Sequence, residues 1–351
     1  MWRSGLISLW LALMSVYSMA MEETIKPVEF ADLPGWAEDD HKAAFDTFLN
    51  SCSAEKGKRQ LSDEVWKPIC KFARSNPDPR AFFELMFQPV LIGGEKETLF
   101  TGYYEPQING SLTRQGPFQT PIYSKPPELI EGQLWKSRAE IVDGALNGRG
   151  LEIAWLEDPV EAFFLQIQGS GRIALPDGTA MRVGYAAKNG HEYRSVGREM
   201  ARRGLLPEGQ LSAANIKAWV RKNPSAGREL LKHNGSYVFF KKLTRLKDEE
   251  GPLGAMAVPV TTMRTIAVDS QYNPLGMPVY IVKEGRDPLQ QLMIAQDIGS
   301  AIKGPQRADI FYGSGPVAGE IAGRIKDSGR MYTFLPIVSA KKLGAWGDAT
   351  Q

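Results

Sequence analysis

The sequence predicts an α+β fold, mainly β, and three observations carry that expectation. Phe45, Phe48, Leu49 and Cys52 recur at the i, i+3, i+4, i+7 spacing of one helix face, in an opening region that reads as helical over residues 37–90. From Thr98 the texture changes to short runs rich in strand formers, broken by prolines and glycines. After a helical interval at residues 193–234, strands and tight turns continue to residue 335.

Taken in order, Asp78-Pro79 offers an N-cap and a first-turn proline ahead of the apolar run from Ala81 to Phe87. Residues 98–105 form a strand that stops at Pro106. Residues 161–168 read as the strongest strand of the middle region, since the last four alternate and Gly169-Ser170-Gly171 supplies a turn. Ser212 caps a helix carrying Ile216, Trp219 and Val220, and residues 236–243 return to strand. The polar stretch from Lys247 to Pro252 is a candidate linker. Beyond it, strands are expected at 255–259, 265–268, 279–282, 291–295, 308–312 and 331–335, with short helices at 298–302 and 318–325. No internal repeat or low-complexity segment is present. The pattern describes one α+β body interrupted by a second, mostly β module.

Bulk properties narrow the function. With 351 residues, 43% hydrophobic and 23% charged, the chain is an ordinary globular sequence long enough for two domains. The 42 basic and 40 acidic residues nearly balance, so no electrostatic footprint for nucleic acid exists. The short cluster Lys56, Lys58, Arg59 reads as a solvated loop. Arg3, the apolar run 6–17 and Ser18-Met19-Ala20 have the form of a secretory signal peptide over residues 1–20. The run falls short of the ~20 apolar residues of a comfortable membrane span. An uncleaved anchor is the alternative. Export permits a disulfide between the only two cysteines, Cys52 and Cys70, worth ~3 kcal/mol on a chain-entropy argument; two buried free thiols are the competing possibility. The bridge would staple the first helix to the segment around Trp66 and Ile69. His41, His191 and His233 are scattered, no spacing suggests a metal site, and no cofactor is called for.

Three aspartates attract chemistry. Asp269 ends the 265–268 strand, Asp297 follows the 291–295 strand, and Asp309 opens the next. Carboxylates in such places can be partly buried, which raises the pKa and suits a general acid; a lone aspartate more commonly caps a turn. Asp297-Ile298-Gly299-Ser300 echoes the aspartic-protease tetrapeptide, but no second copy and no twofold repeat exist. Gly169-Ser170-Gly171 and Gly313-Ser314-Gly315 lack the nucleophile elbow of serine hydrolases. Gly169-Ser170-Gly171 also fails the dinucleotide fingerprint, having no amphipathic helix after it.

Four long motifs then stand in one order: Phe100-Thr101-Gly102-Tyr103-Tyr104-Glu105-Pro106; Leu165-Gln166-Ile167-Gln168-Gly169-Ser170-Gly171; the run from Tyr185 to Ser195; and the run from Ala295 to Gly304. On these the chain resembles the membrane-bound lytic murein transglycosylase A family, over nearly all of the sequence after residue 20. Its C-terminal part looks like the 3D domain, named for three aspartates that fall on Asp269, Asp297 and Asp309. The resemblance implies a double-psi β-barrel main domain with a helical N-terminal part, in two pieces (21–110 and 251–351), and a smaller β-barrel inserted at 111–250. It implies a groove holding a glycan strand of peptidoglycan, lined by Thr101, Gly102, Tyr103, Tyr104, Gln168, Gly169, Ser170 and Lys303. Asp297 takes the family's catalytic acid position, with Asp309 and Asp269 in support. Other cell-wall enzymes are candidate partners. One departure stands out: known members are lipoproteins, but Met21 follows Ala20 and no cysteine precedes Cys52, which argues for an unlipidated periplasmic protein. Two rivals stay open. One is an inverting glycoside hydrolase using two of the aspartates; the other is a non-catalytic wall-binding protein.

Overall fold

The computed structural model describes residues 25–58, 60–94 and 98–344. The expected signal segment and its cut before Met21 lie outside the described residues. No helix among the described residues is long and apolar enough to cross a membrane.

The chain is mixed α and β, mostly sheet. Its first strands are β1 (Ile25–Pro27), β2 (Phe87–Ile92), β3 (Leu99–Glu105), β4 (Gln107–Ser111), β5 (Thr120–Tyr123) and β6 (Glu152–Leu156). There follow β7 (Ser170–Ala174), β8 (Ala180–Lys188), β9 (Val238–Lys242), β10 (Thr265–Val268) and β11 (Pro278–Lys283). The last are β12 (Leu289–Ile298), β13 (Arg307–Ser314), β14 (Lys326–Asp327) and β15 (Gly329–Pro336). Nine strands order as β1-β2-β15-β11-β12-β10-β13-β3-β14, and six as β5-β6-β4-β7-β8-β9. The chain divides into two compact units. The first comprises the described residues up to 101, with 254–310 and those from 326 on; the second comprises 102–253 and 311–325.

In the first unit, helices His41–Ser51, Asp63–Arg74 and Pro79–Met86 supply an aromatic core. Asp40 and Asp78 start two of them by accepting backbone N–H bonds from Ala43 and Ala81, and Pro79 sits where no amide donor is needed. Phe45 meets Phe82 edge-on at 5.0 Å between ring centres, and Phe48 meets Phe82 at 5.3 Å. Tyr280, Leu292, Ile294 and Phe334 of the sheet close the same core. A disulfide joins Cys52, the residue that ends the first helix, to Cys70 within the second. Free-thiol titration of the unfolded, unreduced protein should therefore find none, and reduction should cost ~3 kcal/mol of stability. Two titratable thiols would refute the bridge.

The second unit overturns one expectation. Residues 161–168 form a helix, Pro159–Gln168, not a strand. Asp158 caps it by accepting the Val160 N–H, Pro159 occupies its first turn, and Gly169 ends it at φ 78. The helix is buried on two sides: Ala162 and Leu165 pack in one cluster, Val160 and Phe163 in another. Two-sided burial hides helical periodicity in a short apolar run, so only the caps could have told helix from strand. Two first-unit expectations also fail. Residues 298–302 form no helix, because β12 runs on to Ile298 and a turn follows. Residues 255–259 form no strand; Gly254, Ala257 (φ 58) and Pro259 make that segment a loop.

Glu105 organises the second unit from inside. It is fully buried, and its carboxylate accepts from Arg172 Nε at 2.8 Å, Arg182 Nη2 at 3.0 Å and Ser314 Oγ at 2.7 Å. The two arginines donate onward to the carbonyls of Asp248 at 2.7 Å and Lys247 at 2.9 Å. The stretch expected to be a linker is thus held by a buried ionic knot.

Candidate active site

The aspartates are placed by the register of three strands in the first unit. β10 runs parallel to β12 on one side and antiparallel to β13 on the other. Ala267 is opposite both Asp297 and Asp309, so the three residues form one row. Residues in one row share a face of the sheet, and the smallest side chain lies between the two carboxyls. The row depends on an irregularity. Ile266 pairs with Ala295, yet Ala267 pairs with Asp297, so Gln296 is an extra residue in β12. In an unbroken ladder Ala267 would face Gln296, and Asp297 would project from the other face.

Asp297 is half-buried, and its Oδ1 accepts the backbone N–H of Ala255 at 3.0 Å and of Ile298 at 2.9 Å. The loop that supplies Ala255 also bonds Met256 N–H to the Gln296 carbonyl at 3.2 Å. Gly254 permits this approach, since a Cβ there would stand 2.6 Å from that carbonyl oxygen. Asp309 accepts from Thr101 Oγ1 at 2.6 Å, and Thr101 Oγ1 in turn accepts from Arg307 Nη2 at 2.8 Å. Desolvation pushes the Asp309 carboxyl above its ordinary value, against the Thr101 hydrogen bond and the Arg307 charge, which pull it down. The buried Asp269 accepts the N–H of Gln271 at 3.2 Å and of Gly304 at 2.9 Å. It therefore ties down the turn after Asp297, where Lys303 is exposed.

The Asp309 shift has a measurable sign. A carboxyl raised in the folded state keeps a proton that the unfolded chain has lost. Stability should therefore fall as pH rises from the unfolded value through the folded one. Asp309→Asn should flatten that part of a stability–pH curve, and an unchanged slope would contradict the placement.

The residues of the first three motifs belong to the second unit, apart from Phe100 and Thr101. Gly102 leaves no room for a side chain, because a Cβ would stand 2.7 Å from the Ala322 Cα and 2.9 Å from the Tyr312 ring. Tyr103 is buried and packs its ring against Phe311 at 5.1 Å. Tyr104 is half-buried, lies over Gly319, and its backbone N–H donates to Gln168 Oε1 at 3.2 Å. Gly169 is the helix-ending glycine and Ser170, buried, opens β7. The motif residues thus form two groups, one in each unit. Sequence reasoning missed Ala267, Gln296, Arg307 and Glu105. A polar Gln296 closing the run Leu292-Met293-Ile294-Ala295 was the one visible sign of a bulge. Among the described residues no cluster of His, Cys, Asp or Glu could hold a metal ion.

Two family models match the chain. The model of the MltA specific insert domain matches residues 99–241, and that of the 3D domain matches residues 264–335. Membrane-bound lytic murein transglycosylase A of Escherichia coli (strain K12) is 39% identical over 245 residues, covering 67% of this chain and 65% of the relative. The Vibrio cholerae protein of the same name is 31% identical over 301 residues, covering 82% of this chain and 77% of its own. The chain belongs to the membrane-bound lytic murein transglycosylase A family. Solved members of the family share its fold. A membrane-bound lytic murein transglycosylase from Agrobacterium tumefaciens superposes with a TM-score of 0.81 at 33% identity, covering 91% of this chain and 99% of that one. E. coli MltA with bound chitohexaose gives a TM-score of 0.70 at 31% identity, over 85% of this chain and 90% of that one.

Proposed function

We propose that this chain is a peptidoglycan lytic transglycosylase. It cuts the β-1,4 bond between N-acetylmuramic acid and N-acetylglucosamine, with Asp297 as acid and then as base. The observation that carries this reading is the bulge at Gln296, which turns Asp297 onto the face and into the row of Asp309. Protonated Asp297 donates to the oxygen that leaves with N-acetylglucosamine. The carboxylate then takes the proton of the muramyl C6 hydroxyl as that oxygen attacks C1, closing a 1,6-anhydro ring. The attacking group already belongs to the reacting sugar, so proximity supplies much of the rate and no second catalytic carboxylate is needed. The E. coli relative's bound chitohexaose supports a glycan substrate here.

An inverting hydrolase would need a second, ionised carboxylate to activate water. Asp309 suits that role poorly, because desolvation disfavours its ionised form and Thr101 occupies Oδ1. Asp309 and Asp269 act instead as supports, one beside the acid and one behind the turn that follows it. Tyr104, Gln168 and Lys303 are assigned to the glycan. Within the second unit, Gly102, Tyr103, Gly169 and Ser170 shape the backbone around Tyr104 and Gln168.

The parallel β10–β12 pair within an otherwise antiparallel set of neighbours supports reading the main domain (21–110 and 251–351) as a double-psi β-barrel. On the same reading the insert (111–250) is the smaller barrel, and the protein works in the periplasm. Digestion of intact murein tests the function. Muropeptides ending in anhydromuramic acid, each lighter by one water than the hydrolytic product, are expected; reducing ends alone would establish the hydrolase, and uncut murein with bound protein the scaffold.

A further inference from the structure

Gln296 is among the most completely enclosed polar side chains of the first unit, with no exposed surface. Its amide nitrogen donates to the Thr47 carbonyl at 3.0 Å and to Ser51 Oγ at 2.8 Å, both on the His41–Ser51 helix. Its amide oxygen accepts from Thr265 Oγ1, at the first position of β10. Thr265 Oγ1 also accepts the Thr261 N–H at 2.9 Å. The backbone carbonyl of Gln296 accepts from Met256. The side-chain amide and the backbone carbonyl of Gln296 are therefore hydrogen-bonded to a neighbouring strand, a helix and a loop. Buried amides are costly unless fully satisfied, so packing alone gives no reason for one here.

The register supplies a reason. With Gln296 held inward to the helix, β12 accommodates one residue more than β10 and Asp297 comes into line with Ala267 and Asp309. The same bulge brings Asp297 Oδ1 to the Ala255 N–H, the residue next to the one that bonds the Gln296 carbonyl. Bulges commonly re-aim a side chain in this way. Resting on the reading of Asp297 as the acid, we propose that Gln296 is a positioning residue for it: its side chain locks the bulge that sets the reach of the Asp297 carboxyl. A misplacement of ~1 Å at a reacting group is enough to cost ~10²-fold in rate.

The experiment compares four variants on murein, with rates normalised to the folded fraction. Gln296→Met keeps the length of the side chain and removes its hydrogen bonds; it should lower kcat by ~10²-fold while KM stays within about threefold. Ser51→Ala removes one of the two acceptors and should give a smaller loss of the same kind. Phe82→Leu alters the same helical core at a residue whose ring neighbours are Phe45, Phe48, Phe72, Phe83 and Phe87. It serves as the control for destabilisation and should keep wild-type kcat per folded molecule. Asp297→Asn reports on the underlying reading. If Asp297→Asn is inactive while folded Gln296→Met keeps kcat within threefold of wild type, the positioning role is refuted. It is refuted equally if Phe82→Leu loses kcat in step with Gln296→Met, which would reduce the residue to a structural one. If Asp297→Asn itself stays active, the assignment of the acid has failed instead, and the proposal falls with it.

Discussion

Asp297→Asn should lower turnover on murein by at least ~10⁴-fold while leaving the fold intact. General acid–base catalysis contributes ~10²–10⁴-fold, and here one group serves both the donating and the accepting step. Asparagine keeps the carbonyl oxygen that accepts from Ala255 and Ile298, so the loop and the end of β12 should hold. The neutral amide costs less to desolvate than a carboxylate, so murein binding should be retained or rise. Asp309→Asn and Asp269→Asn should lose less, since one supports the row and the other anchors the turn at Gly304. A folded Asp297→Asn retaining more than about a tenth of wild-type activity, far above that range, would remove it from the mechanism.

The second large effect falls on stability. Glu105→Ala leaves two arginines without a counter-charge, one with 6% and one with 19% of its side chain exposed, and strips the acceptor from Ser314. Breaking a buried pair by removing one partner costs ~3–5 kcal/mol, because the surviving charges stay buried. Glu105→Gln, which keeps an acceptor, should lose less. Urea unfolding decides the matter through a lowered midpoint at unchanged slope. A loss below ~1 kcal/mol, the scale of an exposed pair, would show that the knot relaxes into solvent.

Legibility from sequence follows the range of the interactions. Asp78-Pro79 and Ser212 declare helix starts correctly because a cap is a contact between neighbours, and the structure has Asp78 accepting from Ala81 and Ser212 from Asn215. The strand at 265–268 is readable for a similar reason, as a β-branched apolar run bounded by turns. The Pro159–Gln168 helix reads as a strand because burial on two sides erases the period that identifies a helix. Site geometry is harder still. Asp297 can be singled out by motif, but its alignment with Asp309 depends on a bulge, and a bulge is decided by what Gln296 finds 245 and 249 residues away. Glu105 looks like no more than the close of a strand, since Arg172 and Arg182 reach it from 67 and 77 residues along the chain.

A lytic transglycosylase differs from a hydrolase in one atom: the muramyl C6 oxygen, and not water, takes the place of the departing sugar. Digestion of murein in water enriched in heavy oxygen tests this most directly, with each released muropeptide weighed as it forms. Anhydromuramic ends carrying no heavy oxygen at C1 are expected from the wild-type protein and not from Asp297→Asn. Heavy oxygen at C1 of the first-formed products would mean that water is the nucleophile, and would contradict the assignment.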